Sequence, residues 1–180
     1  MELVSGVDLH FITSKKFKTN RIKMRFSAPM STDTIAGRVL VASMLETANE
    51  IYPTSQIFRE RLATLYGANF STGLSRRGLI HYVDLNISFV SDAFLSRKNT
   101  LTGEILDFLK DSLLKPLANE GAFNQAVFEI EKKNVLNDLK AEIEDHFYHA
   151  HQELNKLFYT EKEMQTPRLA TPDLVDKETP

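Results

Sequence analysis

Segments with two different spacings of apolar residues follow one another along the chain. Alternation of apolar and polar residues, the pattern of a half-buried strand, occurs in 7–12, 21–26, 68–76 and 83–89. In 21–26 the polar positions are all basic, and we expect them to form a solvated strand face rather than a phosphate site. The last two segments are close in sequence and predict a hairpin whose turn is Arg76-Arg77-Gly78.

Apolar residues spaced three or four positions apart predict helices. They occur in 34–50, 54–66, 101–112 and 124–159. We expect Ser31, Thr32 or Asp33 to cap the first helix, because a short polar side chain accepts from the free N–H groups of a first turn. Pro53 cannot continue that helix and marks its end.

The later helices carry their own boundary signals. Thr54 is the expected cap of the second helix, and Gly67 is the residue expected just beyond its end. The segment 124–159 is either one long helix or two helices with a bend, buried along a stripe that includes Phe147, Leu154 and Leu157.

Hairpins separated by helices predict an α+β domain with a mostly antiparallel sheet and helices packed on one face. We expect residues 1–160 to form this domain and 161–180 to be a polar connector followed by the start of a truncated helix. Thr171-Pro172 is the expected cap and first position of that helix. Because the sequence stops at Pro180 before the helix ends, we expect a fragment and an incomplete domain.

Composition narrows the classes of function. The chain has 180 residues, a net charge of −2 and no cysteine. A net charge this small creates no overall electrostatic attraction to nucleic acid or to an acidic membrane. The absence of cysteine excludes disulfides and thiolate metal sites. No apolar run approaches the roughly 20 residues of a membrane span, so we expect a cytoplasmic protein.

Residue patterns alone identify no active site. His146 and His149 share a helix face, and Glu142 lies four residues before His146, which is a spacing that can hold a metal ion. A solvated stretch of a long helix is the favoured interpretation, because His151 points elsewhere and Phe147 belongs to the apolar stripe. The sequence contains no Gly-rich phosphate loop and no convincing Ser/His/Asp set.

The order of elements, taken with several short motifs, resembles the N-terminal domain of the pitrilysin/insulinase family of zinc metallopeptidases. The motifs are Tyr52-Pro53, Leu65-Tyr66-Gly67-Ala68, His81-Tyr82-Val83-Asp84-Leu85 and Phe128-Glu129-Ile130-Glu131-Lys132-Lys133. The chain is most similar to a bacterial branch whose members occur in pairs, one partner with the metal motif and one without it. The resemblance implies a metallopeptidase-like α/β roll.

Active members of this family carry an inverted zinc motif, H-x-x-E-H, on the first helix of the domain. Aligned with that motif, the chain has Val39 and Ser43 at the two His positions and Ala42 at the catalytic Glu. On the later helix Glu131 matches the first Glu of the family pattern, and Asp138 falls at the zinc-ligand position. The resemblance therefore implies a degenerate zinc site, with no catalytic residue, no metal ligand set and no cofactor.

The family also uses an exposed strand of the 68–90 hairpin to pair with peptide substrates, and the corresponding residues here are Ser71, Thr72, Gly73 and Leu74. A plain edge strand is the alternative. We therefore expect a non-catalytic peptidase homologue that helps to form a peptide-holding chamber with a motif-bearing homologue, or by self-association. An active metallopeptidase with ligands outside this chain, and a structural core subunit of a larger assembly, remain as alternatives.

Overall fold

The computed structural model describes residues 1–96 and 100–180. The strands are β1 (Glu2–Val4), β2 (Val7–Asp8), β3 (Thr19–Pro29), β4 (Asn69–Arg77), β5 (Ile80–Val90), β6 (Ala118–Asn119) and β7 (Ala122–Phe123). The α-helices are α1 (Ile35–Leu45), α2 (Ser55–Thr64), α3 (Leu101–Leu114), α4 (Gln125–Glu144), α5 (His146–Phe158), α6 (Lys162–Gln165) and α7 (Pro172–Asp176), and a 3₁₀ turn spans Asp92–Phe94.

The main sheet is three-stranded and antiparallel, with the order β3-β5-β4. Alternate residues of the central strand, Leu85, Ile87 and Phe89, are buried beneath the helices. The opposite face is polar, because residues that alternate along a strand point to opposite sides of the sheet. The prediction of an α+β fold with helices on one face of an antiparallel sheet is confirmed.

The basic face of β3 lies on the polar side of the sheet. Arg25 donates to both carboxylate oxygens of Asp84, at 2.6 and 2.7 Å, and Lys23 lies 2.8 Å from the same carboxylate. These contacts, led by the hydrogen bond from Arg25, hold the pKa of Asp84 below its ordinary value. Asp84 thus neutralises part of the basic row, which remains partly exposed to solvent as the alternation predicted.

The turn of the β4–β5 hairpin is shorter than predicted. Arg76 and Arg77 belong to β4, and Arg77 pairs with Ile80, so that only Gly78 and Leu79 form the turn. Gly78 has a φ of 56°, a left-handed value that a residue without a Cβ adopts at little cost. The prediction of an Arg76-Arg77-Gly78 turn was wrong because strand pairing continues through both arginines.

The first predicted strand, 7–12, is mostly absent. Val7–Asp8 pairs with Glu2–Val4 in a separate two-stranded ribbon, with Gly6 in the turn at a φ of 81°. Phe11 and Ile12 are exposed, by 79% and 94%. Alternation therefore did not produce a buried strand here, because no sheet face of the described chain covers these side chains.

The helix predicted for 34–50 ends earlier, at Leu45. Beyond it, Asn49 forms a bridge with Pro116, and its side chain accepts from the Tyr52 N–H at 2.7 Å. These long-range and local bonds satisfy the backbone in place of further helical turns. The predicted caps were also wrong: Thr34 is the N-cap residue without a side-chain bond, and the Ser31 hydroxyl accepts from the Asp33 N–H.

The caps of α2 follow the prediction more closely. The Thr54 side chain accepts from the Ile57 N–H, and α2 begins at Ser55. Gly67 has a φ of 69°, as expected near a helix end, but Tyr66 before it is also left-handed, with a φ of 57°. The segment 101–112 is helical as predicted, within α3.

The long periodic segment forms two helices. Asp145 separates α4 from α5, and its carboxylate accepts from the N–H groups of Phe147 and Tyr148 to cap α5. The predicted buried stripe was wrong for α5, where Phe147 is 91% exposed and Leu157 is 86% exposed. None of the described helices combines the length and apolarity needed to cross a bilayer.

Residues 161–180 pack onto the rest of the domain. Ala170 and Val175 are buried with apolar residues of α1 and α4 in one of two core clusters. α7 begins as predicted, with Thr171 as N-cap and Pro172 at the first position, but it ends at Asp176 rather than running to the end of the sequence. The boundary at residue 160 stays a prediction, whereas the segment beyond it is packed against the core.

Candidate functional site

An open cleft of about 940 Å³ is lined by residues of α1, α4 and the edge strand β4. All five positions assigned to the degenerate zinc site line this cleft, namely Val39, Ala42, Ser43, Glu131 and Asp138. The structure therefore places together residues that lie far apart in the sequence. This proximity depends on the packing of α1 against α4, which the second core cluster stabilises.

Glu131 is held in place by two hydroxyl groups of α1 and the turn after it. The Ser43 hydroxyl donates to Oε2 at 2.6 Å, and the Thr47 hydroxyl donates to Oε1 at 3.0 Å. Glu131 is 7% exposed, so these bonds satisfy a carboxylate that has lost most of its contact with water. The sequence did not identify Thr47 as a residue of this site, although its place four residues after Ser43 puts it on the same side of the chain.

The residues present do not fit a zinc ion. Zinc in proteins takes three or four nitrogen, sulfur or oxygen ligands from side chains. Val39 and Ala42 supply no ligand atom, and both are buried. Ser43 and Glu131 are bonded to each other, and Asp138 is exposed. Among the described residues, no group of three His, Asp or Glu side chains is arranged to hold a metal ion.

The histidines of α5 form no metal site with Glu142. Glu142 lies in α4, and the break at Asp145 removes the continuous helix that the spacing assumed. One Glu142 oxygen accepts from Arg168 at 3.2 Å, while His146 and His149 are exposed. The structure thus agrees with the favoured interpretation of a solvated helix.

β4 is an edge of the main sheet, since β5 is its sole pairing partner within the described chain. The Thr72 N–H donates to Glu46 Oε2 at 2.9 Å, so it points away from β5. Backbone groups in an antiparallel ladder alternate in direction, so Leu74 also presents its N–H and C=O outward, whereas Ser71 and Gly73 direct theirs to β5. Of the four predicted edge residues, only Thr72 and Leu74 line the cleft.

The cleft is acidic. Its charged lining residues are Glu46, Glu131, Asp138 and Arg59. Glu46 follows α1 as its C-cap residue and reaches across to β4. No sequence pattern assigns Glu46 a role, because nothing near it in the chain shows which strand will lie beside the end of α1.

Comparison with known proteins finds one curated relative and several similar solved structures. No family model matches the chain. A "probable inactive metalloprotease YmfF" of Bacillus subtilis (strain 168) is 24% identical over 140 residues, which are 78% of this chain and 33% of that protein. The crystal structure of a conserved protein from Enterococcus faecalis V583 has a TM-score of 0.89 and 32% identity, over 93% of this chain and 40% of the other.

A third similarity concerns the fold alone. The crystal structure of a peptidase M16 inactive domain from Pseudomonas fluorescens has a TM-score of 0.64 and 15% identity, over 92% of this chain and 37% of the other. The chain spans about a third of the curated relative that it matches. These comparisons confirm the predicted resemblance: the chain is similar in sequence to a protein named as a probable inactive metalloprotease, and its fold is similar to that of a peptidase M16 inactive domain.

Proposed function

We propose that this chain is a non-catalytic peptidase homologue that holds an extended peptide in the cleft between α1, α4 and β4. It does so as part of a chamber completed by a motif-bearing homologue or by a second copy. One observation carries the proposal: the degenerate zinc-site positions and the edge strand β4 line the same cleft. The site has kept the shape that would hold a peptide and has lost the groups that would cut it.

The missing chemistry can be stated residue by residue. Peptide hydrolysis at a zinc centre needs a ligand set with an open position for water, and a general base beside it. Ala42 stands where the base would be, and a methyl group moves no proton. Glu131, the buried carboxylate of the cleft, accepts hydrogen bonds from Ser43 and Thr47, so its role is structural.

The retained shape supports peptide binding by strand addition. An extended peptide that pairs with an edge strand gains main-chain hydrogen bonds, while pockets beside the edge accept alternate side chains. Thr72 and Leu74 present outward backbone groups, and the cleft beside them, at about 940 Å³, lies within the usual size range of ligand sites.

An apolar face of α5 supports association with a partner. Phe147, Leu154, Leu157 and Phe158 are all more than half exposed on this short helix. Phe147, Leu154 and Phe158 are seven and four residues apart, a spacing that places them on one side of α5, and Leu157 lies beside them. Large contiguous apolar patches on soluble proteins commonly mark interaction sites, and this face is the surface we assign to a homologue or a second copy.

Peptide holding is tested with a fluorescein-labelled peptide of alternating valine and serine and two N-methylated versions of it. One version is methylated on every valine amide and the other on every serine amide. Strand addition uses one set of amides in a given register, so one version should bind at least about tenfold more weakly than the other. Equal binding of both would contradict strand addition, and cleavage of the parent peptide would favour the enzyme alternative.

Association is tested by sedimentation and by co-purification from cells that express the chain. Leu157→Glu should weaken association, because it places a charge in the apolar face of α5. Leu114→Glu is the matched control, since Leu114 is 72% exposed on a different helix. Recovery with one homologue that carries H-x-x-E-H supports the proposal, whereas recovery within a large complex favours the structural-subunit alternative.

A further inference from the structure

The end of α1 already occupies part of the edge that a peptide would use. Glu46 Oε2 accepts two hydrogen bonds from Thr72, one from its N–H at 2.9 Å and one from its hydroxyl at 2.9 Å. Glu46 and Thr72 are both partly exposed and both line the cleft. The carboxylate therefore lies where the carbonyl of an added strand would have to lie.

The position of Thr72 makes this contact matter for strand addition. Thr72 is near the middle of β4, and its neighbours with the same backbone direction are Phe70 and Leu74. A peptide that pairs along β4 either accepts a hydrogen bond from the Thr72 N–H or binds without that hydrogen bond. Interrupting a short ladder at its centre removes one of the few bonds that such a strand can form.

The Glu46 carboxylate is a stronger hydrogen-bond acceptor than the peptide carbonyl with which it would compete for the Thr72 N–H. A carboxylate accepts hydrogen bonds roughly twice as strong as those accepted by a neutral carbonyl oxygen. Glu46 is also tethered to α1, so it binds without the loss of translational freedom that a free peptide incurs. Both effects favour the contact between Glu46 and Thr72 over peptide binding at this edge.

We propose that Glu46 is an autoinhibitory latch, which occupies the Thr72 edge group and must be displaced before a peptide strand can pair with β4. The inference rests on the proposed peptide-holding function. It adds a regulatory residue that lies outside the degenerate zinc site. Contact of Glu46 with a cationic group of the peptide or the partner is one way to release the latch, since a carboxylate turns readily from a neutral donor to a charged one.

The test uses Glu46→Ala and Glu46→Gln, with Glu50→Ala as the matched control. Glu50 is exposed and lies four residues further along, so its removal changes the net charge equally without touching β4. The probe is the same fluorescein-labelled valine and serine peptide, whose side chains carry no charge. Glu46→Ala should bind it about tenfold more tightly than wild type, Glu46→Gln should be intermediate, and Glu50→Ala should match wild type.

Hydrogen exchange gives a readout that needs no peptide. The Thr72 amide should exchange faster in Glu46→Ala than in Glu50→Ala, because the latch no longer protects it. Unchanged exchange, or equal peptide affinity in wild type and Glu46→Ala, overturns the latch and leaves peptide holding intact. Absence of peptide binding in every variant overturns peptide holding as well, so the two failures are distinct.

Discussion

The hydroxyl of Ser43 donates to the carboxylate of Glu131 across the cleft, with an Oγ–Oε2 distance of 2.6 Å. This bond joins α1 to α4 at the place where the sequence resemblance puts a zinc ligand in active relatives. The Ser43 hydroxyl therefore links the two helices directly at this place. Together with the Thr47 hydroxyl, it satisfies a carboxylate that has lost most of its contact with water.

Ser43→Ala should lower the free energy of unfolding by about 1–2 kcal/mol, because it leaves one oxygen of the nearly buried Glu131 without its donor. Urea unfolding followed by circular dichroism measures the change. Ser55→Ala is the control, since Ser55 lines the same cleft but is exposed. Equal stability of the two variants would show that the Ser43 bond contributes nothing to the fold.

Purified protein should contain far less than one zinc ion per chain, and Asp138→Ala should leave the zinc content unchanged. The reason is that Val39 and Ala42 offer no ligand atom and Asp138 is exposed. Inductively coupled plasma mass spectrometry after dialysis against zinc measures this content. Stoichiometric zinc that disappears in Asp138→Ala would contradict the non-catalytic assignment.

Arg76→Ala should loosen the segment that follows α5. The Arg76 guanidinium donates to the backbone carbonyls of Glu163, Met164 and Thr166, at 3.3, 3.1 and 2.6 Å. Loss of these bonds should cost about 1–3 kcal/mol of unfolding free energy and should speed proteolytic cleavage in 160–170.

Arg77→Ala is the matched control for Arg76→Ala, because Arg77 is the next residue of β4, is exposed, and points to the other face of the sheet. Limited proteolysis with mass spectrometry locates the cuts. Identical cleavage of the two variants would mean that Arg76 does not hold this segment.

The protein should lose stability as the pH falls below about 6.5, the ordinary pKa of histidine. His81 is buried, and its Nε2 donates to the Arg168 carbonyl at 3.0 Å, while Nδ1 has no partner among the described residues. Burial, with Arg38 and Arg76 nearby, lowers the pKa of His81. The pKa of His81 is lower in the folded protein than in the unfolded chain. The stability that neutral His81 contributes is therefore fully present above pH 6.5, and it is lost as the pH falls toward the pKa of the folded protein.

His81→Gln tests this dependence, since glutamine can still donate to the Arg168 carbonyl but does not titrate. Thermal unfolding between pH 7.5 and 5 should show a smaller loss of stability for the variant than for wild type. His10→Gln is the control, because His10 is exposed. The same pH profile for wild type and His81→Gln would exclude His81 as the cause.

Local patterns predicted the main strands and most helix starts correctly. The alternation in 21–26 and 83–89 lies within β3 and β5, and Thr54 caps α2 as its sequence indicates. Such signals are readable because they depend on side chains a few residues apart. The same rules failed at Phe11, where no strand forms, and at Phe147, which is helical but exposed, because no other part of the described chain buries either side chain.

The sequence by itself determined the class of fold, the resemblance to a zinc peptidase domain and the loss of its metal motif. Those properties follow from side-chain periodicity and residue identity, and both can be read directly from the sequence. Only the tertiary structure decided that Ser43 would bond to Glu131 and that Glu46 would reach Thr72. Both contacts join segments that are distant in sequence, and their geometry is set by how helices pack on one another and on the sheet, which no local pattern encodes.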